Sequence, residues 1–195
     1  MCPYLIRLMK QPQMPVGLAD DPAKTGTIKD FLRASAKTFK KPLTIKPPFS
    51  CFEAFVLAYG RPFECKPYPK RLNAYRGEDE HACFKNAWWL VLESDGKYRY
   101  VEGFAAKGNS LVRWGGAVYP NAILHGWVID RNDSVIDPTW PETGGVYFGV
   151  VFDFDYLMRT SVRNRKHTCL IGNQWADFPL LTGKHKKADW MPREK

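Results

Sequence analysis

Two apolar runs joined by a short polar turn constrain this chain more than any other feature in it. Residues 122–130 alternate, with Ile123, His125, Trp127 and Ile129 on one face, and residues 135–137 resume after Arg131-Asn132-Asp133-Ser134. A period of two marks a strand with one buried face, and a polar turn of this length joins antiparallel neighbours. The pattern predicts a hairpin that sets a residue near position 125 beside one near 137. Pro138 ends it. Residues 97–106 alternate too, with Tyr98, Tyr100, Glu102 and Phe104 on one face and Arg99, Val101 and Gly103 on the other.

The remaining periodicity is helical. After Glu80, Cys83, Ala87 and Leu90 share one side of an apolar helix and Phe84, Trp88 and Val91 the adjacent side, with Ser94-Asp95-Gly96 as its stop. Thr27 to Asp30 reads as an N-terminal cap for a helix burying Ile28, Phe31, Leu32, Ser35 and Phe39, with Lys29, Arg33, Lys37 and Lys40 on a solvated face. Ser50 to Glu53 reads as a capping box for a helix carrying Phe52, Phe55, Val56 and Tyr59. Residues 61–76, with Pro62, Pro67 and Pro69, are expected as an extended, polyproline-like loop, and 108–116 as another loop. An apolar run at 146–152 precedes Asp153, which can cap a last helix holding Phe154, Leu157, Met158 and Ser161.

The expected fold class is α+β, helices packed on an antiparallel sheet. Its domain spans 27–162 with the core at 76–140, after an arm at 1–26 (a short strand near 4–9) and before a basic extension at 163–195 that either packs through Trp175, Phe178 and Trp190 or stays mobile. Among 195 residues, 45% are hydrophobic and 14% aromatic, enough for a packed core and against a disordered chain. The net charge of +9 suits an anionic partner: nucleic acid through a basic surface, an acidic protein, or an anionic substrate.

No run approaches the roughly 18 apolar residues of a membrane span, and the start lacks the features of a signal peptide. Cys2, Cys51, Cys65, Cys83 and Cys169 are odd in number and scattered, so a disulfide framework is not expected and a reducing cytoplasm is. His81, Cys83 and Cys65 lack zinc-ligand spacing, and no phosphate-binding glycine loop or dinucleotide fingerprint occurs. No metal or cofactor is expected.

Cysteine, histidine and aspartate in this order supply the parts of an activated thiol nucleophile. A free thiol with a pKa near 8.5 is only about 3% ionised at pH 7. A helix start favours the anion through its unpaired N–H groups, and an imidazolium favours it as ion-pair partner. Cys83 stands at a helix start, His125 on a strand, and Asp137 at the end of the next strand, where it can orient the ring. Asn86, one turn along the helix, and Glu102, on a neighbouring strand, are candidates for oxyanion or substrate-orienting roles. Trp88, Trp127 and Trp140 are candidate cleft walls.

Cys83 with Ala87 behind it, His125-Gly126-Trp127, and Val135-Ile136-Asp137-Pro138-Thr139 resemble the core of the transglutaminase-like branch of papain-like cysteine enzymes. The resemblance covers about a third of the chain. It implies a thiol-dependent hydrolase or acyltransferase acting on an amide or (thio)ester bond, with Cys83 as nucleophile, His125 as base and Asp137 as orienter. The acidic run Glu78-Asp79-Glu80 and His81-Ala82 depart from the small residues common before that cysteine. The competing expectation is a non-catalytic member of this fold that binds nucleic acid or an acidic protein through its basic surface.

Overall fold

The alternating runs do not stay an open sheet; they close. A computed structural model of the chain describes residues 26–38, 48–75, 77, 82–108, 110–114, 116–140, 144–164 and 169–193. In chain order these form α1 (Ile28–Thr38), α2 (Phe52–Tyr59), β1 (Arg61–Cys65), a 3-10 segment (Lys70–Tyr75), α3 (Cys83–Glu93), β2 (Arg99–Ala106), β3 (Leu111–Trp114), β4 (Ala117–Pro120), β5 (Ile123–Ile129), β6 (Ser134–Ile136), β7 (Val146–Val151), α4 (Phe154–Asn164), a second 3-10 segment (Gln174–Ala176) and α5 (Lys187–Trp190). Five strands make a closed barrel in the order β1-β6-β5-β2-β7. The expected hairpin is there, β5 and β6 pairing antiparallel with Val128 opposite Ile136 and Ile129 opposite Val135.

Alternation sorts side chains between two cores. Phe63, Val101, Ala105, Trp127, Ile129, Val135 and Tyr147 fill the barrel, and Trp140, from the turn after β6, packs with them. The opposite face of the same strands, including Tyr100, Phe104, Leu124, Val128, Phe148 and Val150, meets the helices through Leu32, Phe55 and Leu90. Trp127 is fully buried. Its indole fits only because Gly149 has no side chain, for a Cβ there would stand 2.5 Å from the ring. Each fully buried large side chain of this kind contributes roughly 1.5–3 kcal/mol.

Several expectations need correction. The architecture is α+β, but the sheet is a barrel closed by one parallel pair, β1 with β6. Residues 61–65 are not polyproline loop: β1 pairs antiparallel with β7, and Phe63 plugs the barrel. Pro62, which has no N–H to donate, stands opposite Phe148. The loop expected at 108–116 holds β3, which pairs with β4 in a ribbon resting on α1, where Phe31 meets Trp114 edge-on at 6.1 Å.

The first capping box forms: the Asp30 N–H donates to Thr27 Oγ1 at 3.2 Å, and the Thr27 N–H to Asp30 Oδ2 at 3.1 Å. The second does not. Cys51 occupies the N-cap of α2 without a side-chain bond, and Glu53 accepts from Ser35 Oγ of α1 at 2.8 Å. At α4 the Asp153 carboxylate accepts the Tyr156 N–H at 3.0 Å, as a cap should. The C-terminal segment joins the helix-side core through Leu170, Ile171, Leu180, Leu181 and Trp190, whereas Trp175 is 68% exposed. Residues 1–25 of the arm expected at 1–26, with its strand near 4–9, and Phe39, Lys40, residues 78–81 and the end of the chain lie outside the described residues.

Candidate active site

Pro138 stops β6, and the residue before it turns the chain. Asp137 Oδ1 accepts the N–H groups of Thr139 (2.9 Å) and Trp140 (3.0 Å), an aspartate-anchored turn. The turn folds Trp140 back over the strands. Its ring lies parallel to that of His125, centroids 4.0 Å apart and planes at 11°. Asp137 Oδ2 meets His125 Nε2 at 2.7 Å and accepts the Tyr147 hydroxyl at 2.9 Å. Both His125 and Asp137 are buried.

With Nε2 engaged by Asp137, Nδ1 is the nitrogen left for another partner. Cys83, at the start of α3, lies near enough to influence the protonation of the ring. The approach depends on Gly126. A Cβ at Gly126 would come 2.9 Å from the Phe84 ring and 3.1 Å from its Cα, so the start of α3 rests directly on β5. Gly126→Ala should therefore push the helix start outward, lowering stability by about 1–3 kcal/mol and slowing alkylation of Cys83. Denaturant melts and thiol labelling read the two effects.

Ala82 occupies the N-cap of α3 and makes no side-chain hydrogen bond to its first-turn N–H groups, which favour negative charge at this end. Burial opposes charge on His125, yet the Asp137 carboxylate and then Cys83 outweigh it, and its pKa is pushed up to about 10. Burial also opposes charge on Asp137, but His125 and the two turn N–H groups hold its carboxyl below the usual range. The favoured state at neutral pH is imidazolium beside carboxylate.

The other candidates have different places. The Asn86 amide donates to Thr139 Oγ1 at 3.1 Å, tying α3 to the Asp137 turn. Trp127 is barrel core, with no exposed surface for a cleft wall. Trp88 is half-buried, edge-on to Trp89 at 5.1 Å. Glu102 does not orient His125. It points to the helix side and is fully buried, accepting from Tyr100 Oη (2.9 Å), Cys169 Sγ (3.2 Å), and the N–H groups of Leu170 (2.6 Å) and Ile171 (2.9 Å). It anchors the C-terminal segment. Sequence reasoning missed Tyr147, for which a tyrosine in an apolar strand gives no signal, and the return of Cys169 to Glu102.

These groups give stability a pH dependence. Burial outweighs the four donors on Glu102 and pushes its pKa up to about 7, so the folded chain keeps a proton that the unfolded chain releases. Stability falls as pH rises from the ordinary 4.5 through about 7. His125 is raised as well: its contribution is complete below the ordinary 6.5 and is lost as pH rises through about 10. Asp137 is lowered, so its contribution is lost as pH falls below its ordinary 3.8 through the folded value. Denaturation midpoints should peak near pH 5 and fall toward pH 9, with the limb between about pH 5 and 7 flattened in Glu102→Gln. A midpoint rising from pH 5 to 8 would contradict this.

Among the described residues, no group of three or more His, Cys, Asp or Glu side chains converges to hold a metal ion, and no helix is long and apolar enough to cross a membrane. The chain matches no family model, no curated protein and no solved structure.

Proposed function

We propose that this chain is a thiol-dependent hydrolase or acyltransferase with the core of the transglutaminase-like, papain-like cysteine enzymes. Cys83 is the nucleophile, His125 the base and acid, and Asp137 the group that fixes the ring. One observation carries the reading: a buried His125–Asp137 pair at 2.7 Å, with Cys83 at an uncapped helix start as the ring's other partner. In the reaction, Cys83 Sγ attacks the carbonyl carbon of an amide or (thio)ester. The bond to the leaving group breaks, and the leaving atom takes the proton from His125. Water or an acceptor amine then attacks the acyl thioester, giving a proton to His125, and the Cys83 sulfur leaves as thiolate beside the imidazolium, the pair from which the cycle began. The Cys83 backbone N–H is the candidate oxyanion donor.

An activated ester tests this. Brief exposure to p-nitrophenyl acetate should leave an acetyl group on Cys83, read by peptide mass spectrometry, and none at that position in Cys83→Ala. Acetylation spread over lysines with Cys83 untouched would contradict the proposal. That outcome would favour the basic binding protein. A cleft of about 1280 Å³ is lined by Arg61, Arg99, Arg159 and Arg193 but equally by Asp153, Asp155 and Asp189, and Arg61 and Arg99 are paired with Asp133, so it does not favour that second reading.

A further inference from the structure

Trp140 uses its two faces differently. One is stacked on His125 at 4.0 Å, which leaves no space for another group on that side. The Lys107 ammonium stands 5.3 Å from the centroid of the same indole and so lies over the other face. Lys107 directly follows β2, whose last residue, Ala106, pairs with the first residue of β7, so it sits at the barrel rim beside the site. It is exposed and makes no ion pair among the described residues. Lys85, two positions after Cys83 on the first turn of α3, is exposed as well. Among the described residues of this cluster the carboxylate is that of Asp137, which is engaged by the turn, His125 and Tyr147.

A tryptophan already held by an imidazole on one face and a turn at its backbone does not need a cation to place it. Cation and ring together form a rigid perch for a negative charge, because the indole limits where the ammonium can go. We infer that Lys107 is a specificity-determining residue: the acyl group delivered to Cys83 carries a carboxylate, bound by Lys107 at the outer face of Trp140. This rests on the thiol-enzyme reading above. The carboxylate stays on the acyl side. It remains in the thioester when the leaving group departs with the His125 proton, and leaves in the product when water or an amine attacks.

Two reagents that differ in charge alone test the inference without a known substrate. Iodoacetate and iodoacetamide both form a bond from Sγ to their methylene carbon and release iodide. The rate ratio, iodoacetate to iodoacetamide, is measured at Cys83 by peptide mass spectrometry in the wild type, Lys107→Gln and Lys107→Glu, with Cys65 as internal reference. A single charge within about 10 Å of a reacting group alters such a ratio by a small factor. Lys107→Gln should lower it about threefold and Lys107→Glu about tenfold, with the iodoacetamide rate nearly unchanged and the differences shrinking in about 0.5 M salt. A ratio unchanged in both variants, with Cys83 still labelled by iodoacetamide, overturns the role of Lys107 and leaves the thiol reading standing. No labelling of Cys83 by either reagent in the wild type overturns the thiol reading, and this inference with it.

Discussion

Asp137→Ala should destabilise the protein by about 3–5 kcal/mol, among the largest effects of any single substitution in the chain. The carboxylate is buried and accepts from His125, Tyr147 and two backbone N–H groups of its own turn. Its removal leaves a buried imidazolium without a counter-charge, and the ring must give up its proton at a cost. It also leaves the N–H groups of Thr139 and Trp140 and the Tyr147 hydroxyl without their acceptor, each a desolvation loss of about 1–3 kcal/mol where water does not enter. Asp137→Asn should recover part of this, since an amide oxygen can still accept from the turn. Urea melts of the two variants separate the charge from the turn: a wild-type midpoint in Asp137→Asn would mean that the pair with His125 contributes nothing, and equal losses in both that the turn contributes nothing.

On the proposed mechanism, His125→Ala should slow the alkylation of Cys83 at neutral pH by about tenfold or more, because the thiol loses the base beside it. Burial pushes the Cys51 thiol up to about 11, aided by the Glu53 charge, and raises that of Cys65. These two thiols should stay protonated at neutral pH and serve as references in the same digest. The variant also leaves Asp137 buried opposite a smaller side chain, so labelling belongs at a temperature well below its melt.

Local signals were readable where local physics decided the outcome. Alternation at Ile123, His125, Trp127 and Ile129 with the polar turn after it gave the hairpin, and the Thr27–Asp30 spacing gave a cap that forms. The order of Cys83, His125 and Asp137 named three residues that do come together. What failed was long-range. The Ser50–Glu53 pattern met the rule for a capping box, yet Glu53 is taken by Ser35 of the preceding helix. Prolines and charges hid β1, whose place depends on a barrel that only β6 and β7 can close. Glu102 had the right chemistry and the wrong direction, because its partners lie in the segment around Leu170 and Ile171, far along the chain. Trp127 and Trp140 look alike in sequence. One fills the barrel beside Gly149, and the other is swung onto His125 by the turn at Asp137.

The central proposal is that Cys83 is a nucleophile activated by His125. The most direct test is the rate of iodoacetamide alkylation at each cysteine between about pH 5 and 9, resolved by peptide mass spectrometry in the wild type and in His125→Ala. The account predicts that Cys83 reacts fastest at neutral pH, while Cys51 and Cys65 lag until the solution is strongly alkaline. In His125→Ala the advantage of Cys83 should disappear. A Cys83 that reacts no faster than Cys65 across the range, or that keeps its full rate without His125, would contradict the account.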